Sequence, residues 1–150
     1  MIKDTFGYSA LTADLMLDEG RRAFPYPDSL GNLTIGIGRN LTGKGLSGTE
    51  IDYLFANDIT ECCTIMDAHI PWWRGLPPDK QRVLLNLCFN VGWGSLSMFK
   101  KFLAAMQTHD FHVAASELKD SVWYRQVGLR GPRVIARLLA NTLPGEVVAT

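Results

Sequence analysis

The stretch of sequence that decides the fold runs over residues 18–38 and reads DEGRRAFPYPDSLGNLTIGIG. Within it, Glu19 ends a helical pattern, Asp28 lies at a turn, and Thr34 follows on a short apolar segment. Cleavage of an acetal needs one carboxyl group that protonates the leaving oxygen and one carboxylate that assists water or the sugar cation. A hydroxyl group can hold the water. The stretch therefore predicts an acetal-cleaving site made of Glu19, Asp28 and Thr34.

Taken singly, each of the three residues has a more ordinary explanation. Glu19 fits a surface acid at a helix end, Asp28 fits a residue that begins a turn, and Thr34 fits a strand. The functional interpretation is favoured because all three occur in one short stretch and further motifs follow in order along the chain.

The residues before this stretch predict a helix over about residues 9–19. Ser9 is the candidate cap, and Gly20 ends the helix. Leu11, Leu15 and Glu19 recur every four residues, so the acid lies on the apolar stripe. Burial there and the negative end of the helix both favour the protonated form of Glu19.

A small β structure follows over residues 21–46. The proline-rich segment 24–27 suits an edge strand, residues 28–32 suit a turn, and residues 33–37 suit the returning strand. We expect a hairpin or a three-stranded sheet. It must lean on helices, because an isolated hairpin is only marginally stable.

The rest of the chain has a helical pattern. Ser47 and Glu50 have the spacing of a capping box, which begins a long helix over about residues 48–68. Further helical segments are predicted at about 79–91, 96–107, 110–119 and 131–141, with a short turn near 121–126.

These elements predict one domain of class α+β, mostly α, with two lobes. The lobe with the sheet covers about residues 20–50, and the helix over about 48–68 joins it to the second lobe. The helical lobe covers about residues 70–143 and takes in the N-terminal helix, about 9–19. Substrates are expected in the cleft between the lobes.

The charge of the chain is unevenly spread although the formal net charge is zero. Residues 1–73 carry five Lys/Arg against ten Asp/Glu, and residues 74–150 carry ten against five. Opposed charges of this kind suit an anionic polymer held in a cleft, or they simply help two lobes pack. The hydrophobic content of 47% is too high for a disordered chain.

Cysteine and histidine residues predict neither a disulfide framework nor a metal site. Cys62 and Cys63 are adjacent on a predicted helix, and with Cys88 and His69 they match no zinc spacing. We expect free thiols and synthesis in a reducing cytosol. The N-terminus shows no secretory signal, and no window is apolar enough to span a membrane.

Several motifs continue the pattern in order beyond Thr34. They are TIGIG at 34–38, LFAND at 54–58, NLCFNVG at 86–92, WY at 123–124 and RGPR at 130–133. Together with Glu19 and Asp28, these motifs resemble the phage-type lysozymes of glycoside hydrolase family 24. Members of that family are endolysins that cut the glycan strands of bacterial peptidoglycan. The resemblance covers nearly the whole chain and implies a lysozyme-like fold.

The resemblance also implies a role for each matching residue. Glu19 would be the general acid, Asp28 the second carboxylate, and Thr34 the group that positions water. The substrate-binding positions implied are Gly38, Asn90, Phe99 and Arg130. Among them, Arg130 would lie near Glu19, fix its orientation and lower its pKa, which opposes the effect of burial and leaves the protonation state of Glu19 open. The backbone of Gly38 would come close to other groups.

One position departs from the family pattern. The family commonly has histidine after the TIGxG string, where this chain has Arg39. That histidine pairs with an aspartate on the long helix, and Asp58 holds the corresponding place. We therefore predict an ion pair between Arg39 and Asp58, which would keep its charge at any relevant pH because arginine does not titrate.

The resemblance implies hydrolysis of the β-1,4 bond between N-acetylmuramic acid and N-acetylglucosamine in peptidoglycan, which lyses the host cell. Two alternatives remain: a lytic transglycosylase, in which the sugar's own hydroxyl closes an anhydro ring, and a lysozyme-like protein that binds peptidoglycan without cutting it.

We expect a monomer that uses no cofactor and no metal, binds no nucleic acid and inserts in no membrane. With no signal peptide, it should collect in the host cytoplasm and then reach the periplasm and cell wall. A holin would provide that access.

Overall fold

The computed structural model describes residues 7–142 and confirms an α+β, mostly α, lysozyme-like fold. Seven α-helices, which make it 66% helical, accompany one three-stranded antiparallel sheet within these residues. The chain divides into two compact units, with the boundary between Tyr53 and Leu54. The candidate residues Glu19, Asp28 and Thr34 lie in the first unit and most of the helices in the second.

The first unit contains helix α1 (Tyr8–Glu19) and the sheet. The strands are β1 (Arg22–Pro27), β2 (Leu33–Gly36) and β3 (Arg39–Asn40), in the order β1-β2-β3. The predicted three-stranded alternative is therefore confirmed. Two prolines in β1 are tolerated because this strand lies at the edge of the sheet and its N–H groups need no ladder partner there.

Both ends of α1 show how local sequence sets a helix boundary. The predicted cap at Ser9 is wrong, since Ser9 lies inside the helix and Gly7, in a left-handed conformation, occupies the cap position. Gly20 ends the helix as predicted, with φ of 72° and its N–H bonded to the carbonyl of Met16 at 3.0 Å.

No residue of α1 is buried. The expected burial of Glu19 on an apolar stripe is therefore also wrong, because Glu19 is exposed.

Helix α2 (Gly48–His69) begins at the predicted capping box. The N–H of Ser47 donates to Glu50 Oε2 at 2.7 Å, and the N–H of Glu50 donates to Ser47 Oγ at 3.3 Å. These reciprocal bonds satisfy donors that a helix N-terminus leaves unpaired. Further along α2, only Cys62 and Met66 are buried.

Besides most of α2, the second unit contains a short 3₁₀ helix (Pro71–Gly75) and five further α-helices. These are α3 (Pro78–Leu96), α4 (Lys100–Gln107), α5 (Phe111–Lys119), α6 (Val122–Gln126) and α7 (Arg130–Leu139). Helix α3 contains a break at Gly92, where φ is 75° and ψ is 164°. The predicted end of a helix near residue 91 matches this break, and a further short helical stretch continues to Leu96.

The core of the second unit is apolar with one charged exception. Its largest fully buried apolar side chains include Trp73, Phe102 and Met106. Lys80, on α3, is 1% exposed, and its Nζ donates to Asp79 Oδ2 at 2.8 Å and to the carbonyls of Arg137 and Ala140 at 3.1 and 2.6 Å. An ammonium group has three hydrogens. All three are used, and Lys80 thereby ties the start of α3 to the end of α7.

The three cysteines are free, as predicted. Cys62 and Cys88 are buried, and Cys63 is half-buried. Burial raises the pKa of the Cys88 thiol to about 12, with a further contribution from the neighbouring Cys62.

Among residues 7–142, no helix is long and apolar enough to cross a membrane, and no cluster of His, Cys, Asp and Glu has the arrangement of a metal site.

Candidate active site

Glu19 is the last residue of α1, and its carboxyl group lies against the backbone of Gly38. A methyl group built on the Cα of Gly38 would come within 2.8 Å of both Cδ and Oε2 of Glu19. Gly38 also has φ of 67°, which disfavours any residue with a Cβ. The turn between β2 and β3 therefore needs glycine for two independent reasons. The predicted close approach at Gly38 is seen, and the group it approaches is the candidate general acid.

Asp28 is fixed by the turn between β1 and β2. Its Oδ1 accepts hydrogen bonds from the N–H groups of Leu30 at 2.9 Å and Asn32 at 2.8 Å. Its Oδ2 accepts a longer bond, 3.2 Å, from Asn32 Nδ2. Hydrogen bonds to a carboxylate favour its charged form. The backbone bond from Asn32 leads the contributions that lower the pKa of Asp28, so this carboxylate is ionised at neutral pH.

Thr34 lies in the central strand of the sheet, with Tyr26 and Asn40 as its register partners. It is 4% exposed and is the only buried residue among residues 7–53. Its hydroxyl donates to the carbonyl of Asn32 at 3.2 Å. Near-complete burial between two strands holds this hydroxyl in one place.

Arg39 has a different partner from the one predicted. Its Nη1 donates to Glu50 Oε2 at 2.8 Å and its Nη2 donates to Glu50 Oε1, so the pair is bidentate. Nη1 also reaches the carbonyl of Gly45 at 3.2 Å. Arg39 raises the acidity of Glu50, whose pKa falls to about 2, with further help from the N–H of Ser47.

The predicted pair with Asp58 is corrected on geometric grounds. Asp58 lies eight residues after Glu50 on α2. Eight residues of α-helix span about 12 Å, so one guanidinium group cannot bond to both acids directly. Glu50 takes the pairing because the capping box already orients its carboxylate toward the start of the helix.

Asn90, Phe99 and Arg130 belong to the second unit. Asn90, exposed on α3, accepts a hydrogen bond from the indole N–H of the buried Trp123 at 2.8 Å, which joins α3 to α6. Phe99 is half-buried just before α4 and lines a groove of about 330 Å³ whose charged lining residues are Lys100, Lys101 and Glu117. The amide of Asn90 therefore has a structural bond in addition to any role toward substrate.

Arg130 begins α7 and lines a groove of about 440 Å³. Arg82 and Asn86 supply the other polar groups of this groove, and its apolar lining residues are Phe55, Ile59, Leu85 and Phe89. Asn86 Oδ1 is buried and accepts no hydrogen bond from the residues that the structure describes. The predicted orientation of Glu19 by Arg130 stays a prediction, because the two residues belong to different units.

A family model that describes phage lysozymes matches residues 17–139. The chain belongs to the phage lysozyme family. The match begins two residues before Glu19 and ends with the last residue of α7, so it includes every candidate site residue.

Individual relatives are distant. The pre-baseplate central spike protein of Enterobacteria phage T4 is 30% identical over 86% of this chain, which spans only 27% of that protein's length. Two proteins of Dictyostelium discoideum, probable T4-type lysozymes 2 and 1, are 27% and 24% identical over 90% of this chain and 96% of their own length. Family membership and the two T4-type relatives support a lysozyme-like function, of glycoside hydrolase type, that acts on peptidoglycan.

In the first unit, Glu19 lies against Gly38, and Asp28 and Thr34 are joined through hydrogen bonds to Asn32. The sequence did not lead us to one residue of this arrangement, Asn32, which contacts both Asp28 and Thr34. The available signal was an aspartate followed four residues later by an asparagine in a glycine-containing turn, since such side chains bond to nearby backbone.

Proposed function

We propose that this protein is an endolysin that hydrolyses the β-1,4 bond between N-acetylmuramic acid and N-acetylglucosamine in bacterial peptidoglycan. The observation that supports this function best is the arrangement in the first unit. A glutamic acid at a helix end lies against the glycine of the turn that follows β2, and a hydrogen-bonded aspartate lies on the turn that precedes β2. The paired carboxyl groups of a glycosidase need a proton donor and an ionised partner of this kind.

The two carboxyl groups have different surroundings, which suits different roles. Asp28 accepts three hydrogen bonds that lower its pKa, so it acts as the ionised partner. Glu19 accepts no hydrogen bond from residues 7–53, and its carboxyl meets the Gly38 backbone instead. It protonates the glycosidic oxygen as the bond to the anomeric carbon breaks.

Thr34 holds the attacking water, and Asp28 takes a proton from that water as it reaches the anomeric carbon. Proton donation by Glu19 and proton uptake by Asp28 then balance across one turnover, and solvent exchange resets both groups. A water held by a threonine favours a single displacement with inversion over a covalent sugar–enzyme intermediate.

The remaining site residues act on the glycan outside the bond that breaks. Asn90, Phe99 and Arg130, all in the second unit, contact the sugars of the glycan. Arginine suits that role because its planar guanidinium presents several donors in fixed positions.

The partner is the glycan strand of peptidoglycan, and the protein acts as a monomer because one cleft serves one strand. It collects in the host cytoplasm, reaches the periplasm and wall through a holin, and lyses the cell there.

The test is a turbidity assay on outer-membrane-permeabilised bacteria with wild type, Glu19→Gln and Asp14→Asn. Glu19→Gln removes the proton donor, so we expect lysis to slow by roughly 10²–10⁴-fold while binding to purified peptidoglycan persists. Asp14→Asn is the matched control, because it neutralises an exposed acid on the same helix outside the proposed site. It should lyse cells at the wild-type rate.

Three outcomes would contradict the proposal. Equal lysis by Glu19→Gln and wild type removes Glu19 from the reaction. Binding without cleavage by the wild-type protein indicates a peptidoglycan-binding module. Products with the mass of an anhydro sugar, one water lighter than the hydrolysis product, indicate a lytic transglycosylase.

A further inference from the structure

Asn32 is the last residue of the turn between β1 and β2, and its N–H, its carbonyl and its side-chain Nδ2 all bond to residues of the site. Its N–H and Nδ2 donate to the two oxygens of the Asp28 carboxylate at 2.8 and 3.2 Å. Its carbonyl accepts from the N–H of Asp28 at 2.8 Å and from the hydroxyl of Thr34 at 3.2 Å. One residue thus contacts both members of the proposed water-binding pair.

The hydrogen bonds leave one oxygen of Asp28 available. A carboxylate accepts about four hydrogen bonds, two at each oxygen. Oδ1 already accepts two backbone bonds, from Leu30 and Asn32, whereas Oδ2 accepts only the side-chain bond from Asn32. The remaining acceptor position therefore lies on Oδ2, the oxygen that the Asn32 amide holds.

The contact with Thr34 sets the direction of its hydroxyl. A hydroxyl has one hydrogen to donate and two lone pairs that accept. Because the hydrogen points to the carbonyl of Asn32, the oxygen of Thr34 can serve a water only as an acceptor. A water that donates one hydrogen to Thr34 and the other to Asp28 has its own lone pair free for attack on carbon.

We propose that Asn32 is a positioning residue that holds the Asp28 carboxylate and the Thr34 hydroxyl as a pair of acceptors for the attacking water. The inference rests on the proposed hydrolytic function of the same site. It adds a residue that acts through Asp28 and Thr34 and does not itself touch the substrate.

The charged groups on neighbouring elements of the first unit do not account for the lowered pKa of the Asp28 carboxyl. On β1, the guanidinium of Arg22 lies over the ring of Tyr26 at 4.3 Å, and on β3, Arg39 is paired with Glu50. The backbone bond from Asn32 contributes most to the lowered pKa of Asp28, desolvation opposes it, and the side-chain bond from Asn32 comes next, ahead of the other hydrogen bonds within the turn.

The experiment compares wild type with Asn32→Ala, Asn32→Asp and Asn40→Ala. Asn32→Ala removes the amide bond to Oδ2 and keeps the backbone bonds, and Asn32→Asp places a second carboxylate beside Asp28. Asn40→Ala is the matched control, since its amide, in the same sheet, accepts from the N–H of Gly43 and does not contact Asp28. The titration of Asp28 is followed by carbon-detected NMR, and kcat/KM is measured against pH on solubilised peptidoglycan fragments.

We expect the Asp28 midpoint and the acidic limb of the rate profile to move together to higher pH. The shift should be larger in Asn32→Asp, because like charges oppose ionisation and the two acids titrate as a coupled pair. At the pH optimum, kcat should fall roughly tenfold in Asn32→Ala, a fraction of what acid–base catalysis contributes. Asn40→Ala should keep the wild-type midpoint and limb.

Two results would overturn the inference. The first is an Asp28 midpoint in Asn32→Ala that equals that of wild type, even if the melting temperature falls, because a purely structural residue changes stability alone. The second is a shifted midpoint with an unchanged rate profile. If the wild-type protein cuts no glycan, the proposed function fails, and the NMR titration still decides whether Asn32 controls Asp28.

Discussion

Each of the two units is stabilised internally by a different kind of interaction. Among residues 7–53, Thr34 is the only buried residue, and the structure rests on turns, a capping box and the Arg39–Glu50 pair. The second unit has a continuous core of buried apolar side chains, among them Trp73, Leu84 and Leu138. Packing is stronger and less sensitive to pH than exposed polar contacts.

This difference has a consequence for function. The candidate catalytic trio lies entirely in the unit held by hydrogen bonds, where single polar contacts set the state of a side chain. The second unit supplies a stable scaffold and the proposed substrate-binding residues Asn90, Phe99 and Arg130. Substitutions in the second unit should therefore change stability most, and those in the first should change activity or its pH dependence.

The largest effect on stability is expected from Lys80→Met. The substitution keeps the length of the side chain but leaves Asp79 and two carbonyls without their buried partner. Loss of one member of a buried pair costs about 3–5 kcal/mol. Urea unfolding should show this loss, whereas Lys101→Met, at an exposed site, should change the free energy of unfolding by no more than about 0.5 kcal/mol. Equal effects of the two variants would mean that Lys80 does not join α3 to α7.

A smaller effect on stability, with a specific effect on activity, is expected from Gly38→Ala. Gly38 and Gly36 have nearly the same φ, 67° and 68°, but only a Cβ at Gly38 would meet Glu19. Gly38→Ala and its control, Gly36→Ala, should each lower the free energy of unfolding by about 1–2 kcal/mol through backbone strain. Lysis should fall much further in Gly38→Ala, because the methyl group displaces the Glu19 carboxyl. Similar lytic rates in the two variants would show that the contact has no part in placing Glu19.

The smallest effect concerns acid stability of the first unit. The pKa of Glu50 is about 2 in the folded protein against 4.5 for a free glutamate, so the unfolded state binds more protons between these values. The resulting stabilisation is present above pH 4.5 and is lost as the pH falls toward 2. Thermal melts monitored at the sheet should show a shallower loss over this range in Glu50→Gln than in wild type. An identical slope would place the acid sensitivity elsewhere.

Much of the fold was predictable because its signals are local. The capping box at Ser47 and Glu50, the end of α1 at Gly20 and the proline-rich edge strand each depend on a few adjacent residues. The predicted cap at Ser9 was wrong because Gly7, in a left-handed conformation, begins the helix two residues earlier. The predicted partner of Arg39 was also wrong. The resemblance to the family indicated Asp58, whereas Glu50 was already oriented by its own helix cap.

The sequence by itself determined the family, the α+β class and the identity of the residues proposed to act, since these depend on residue types at fixed spacings. Only the tertiary structure decided that the Gly38 backbone meets the carboxyl of Glu19. The physical reason is distance along the chain. Nineteen positions separate Glu19 from Gly38, and only the path of the sheet brings them into contact.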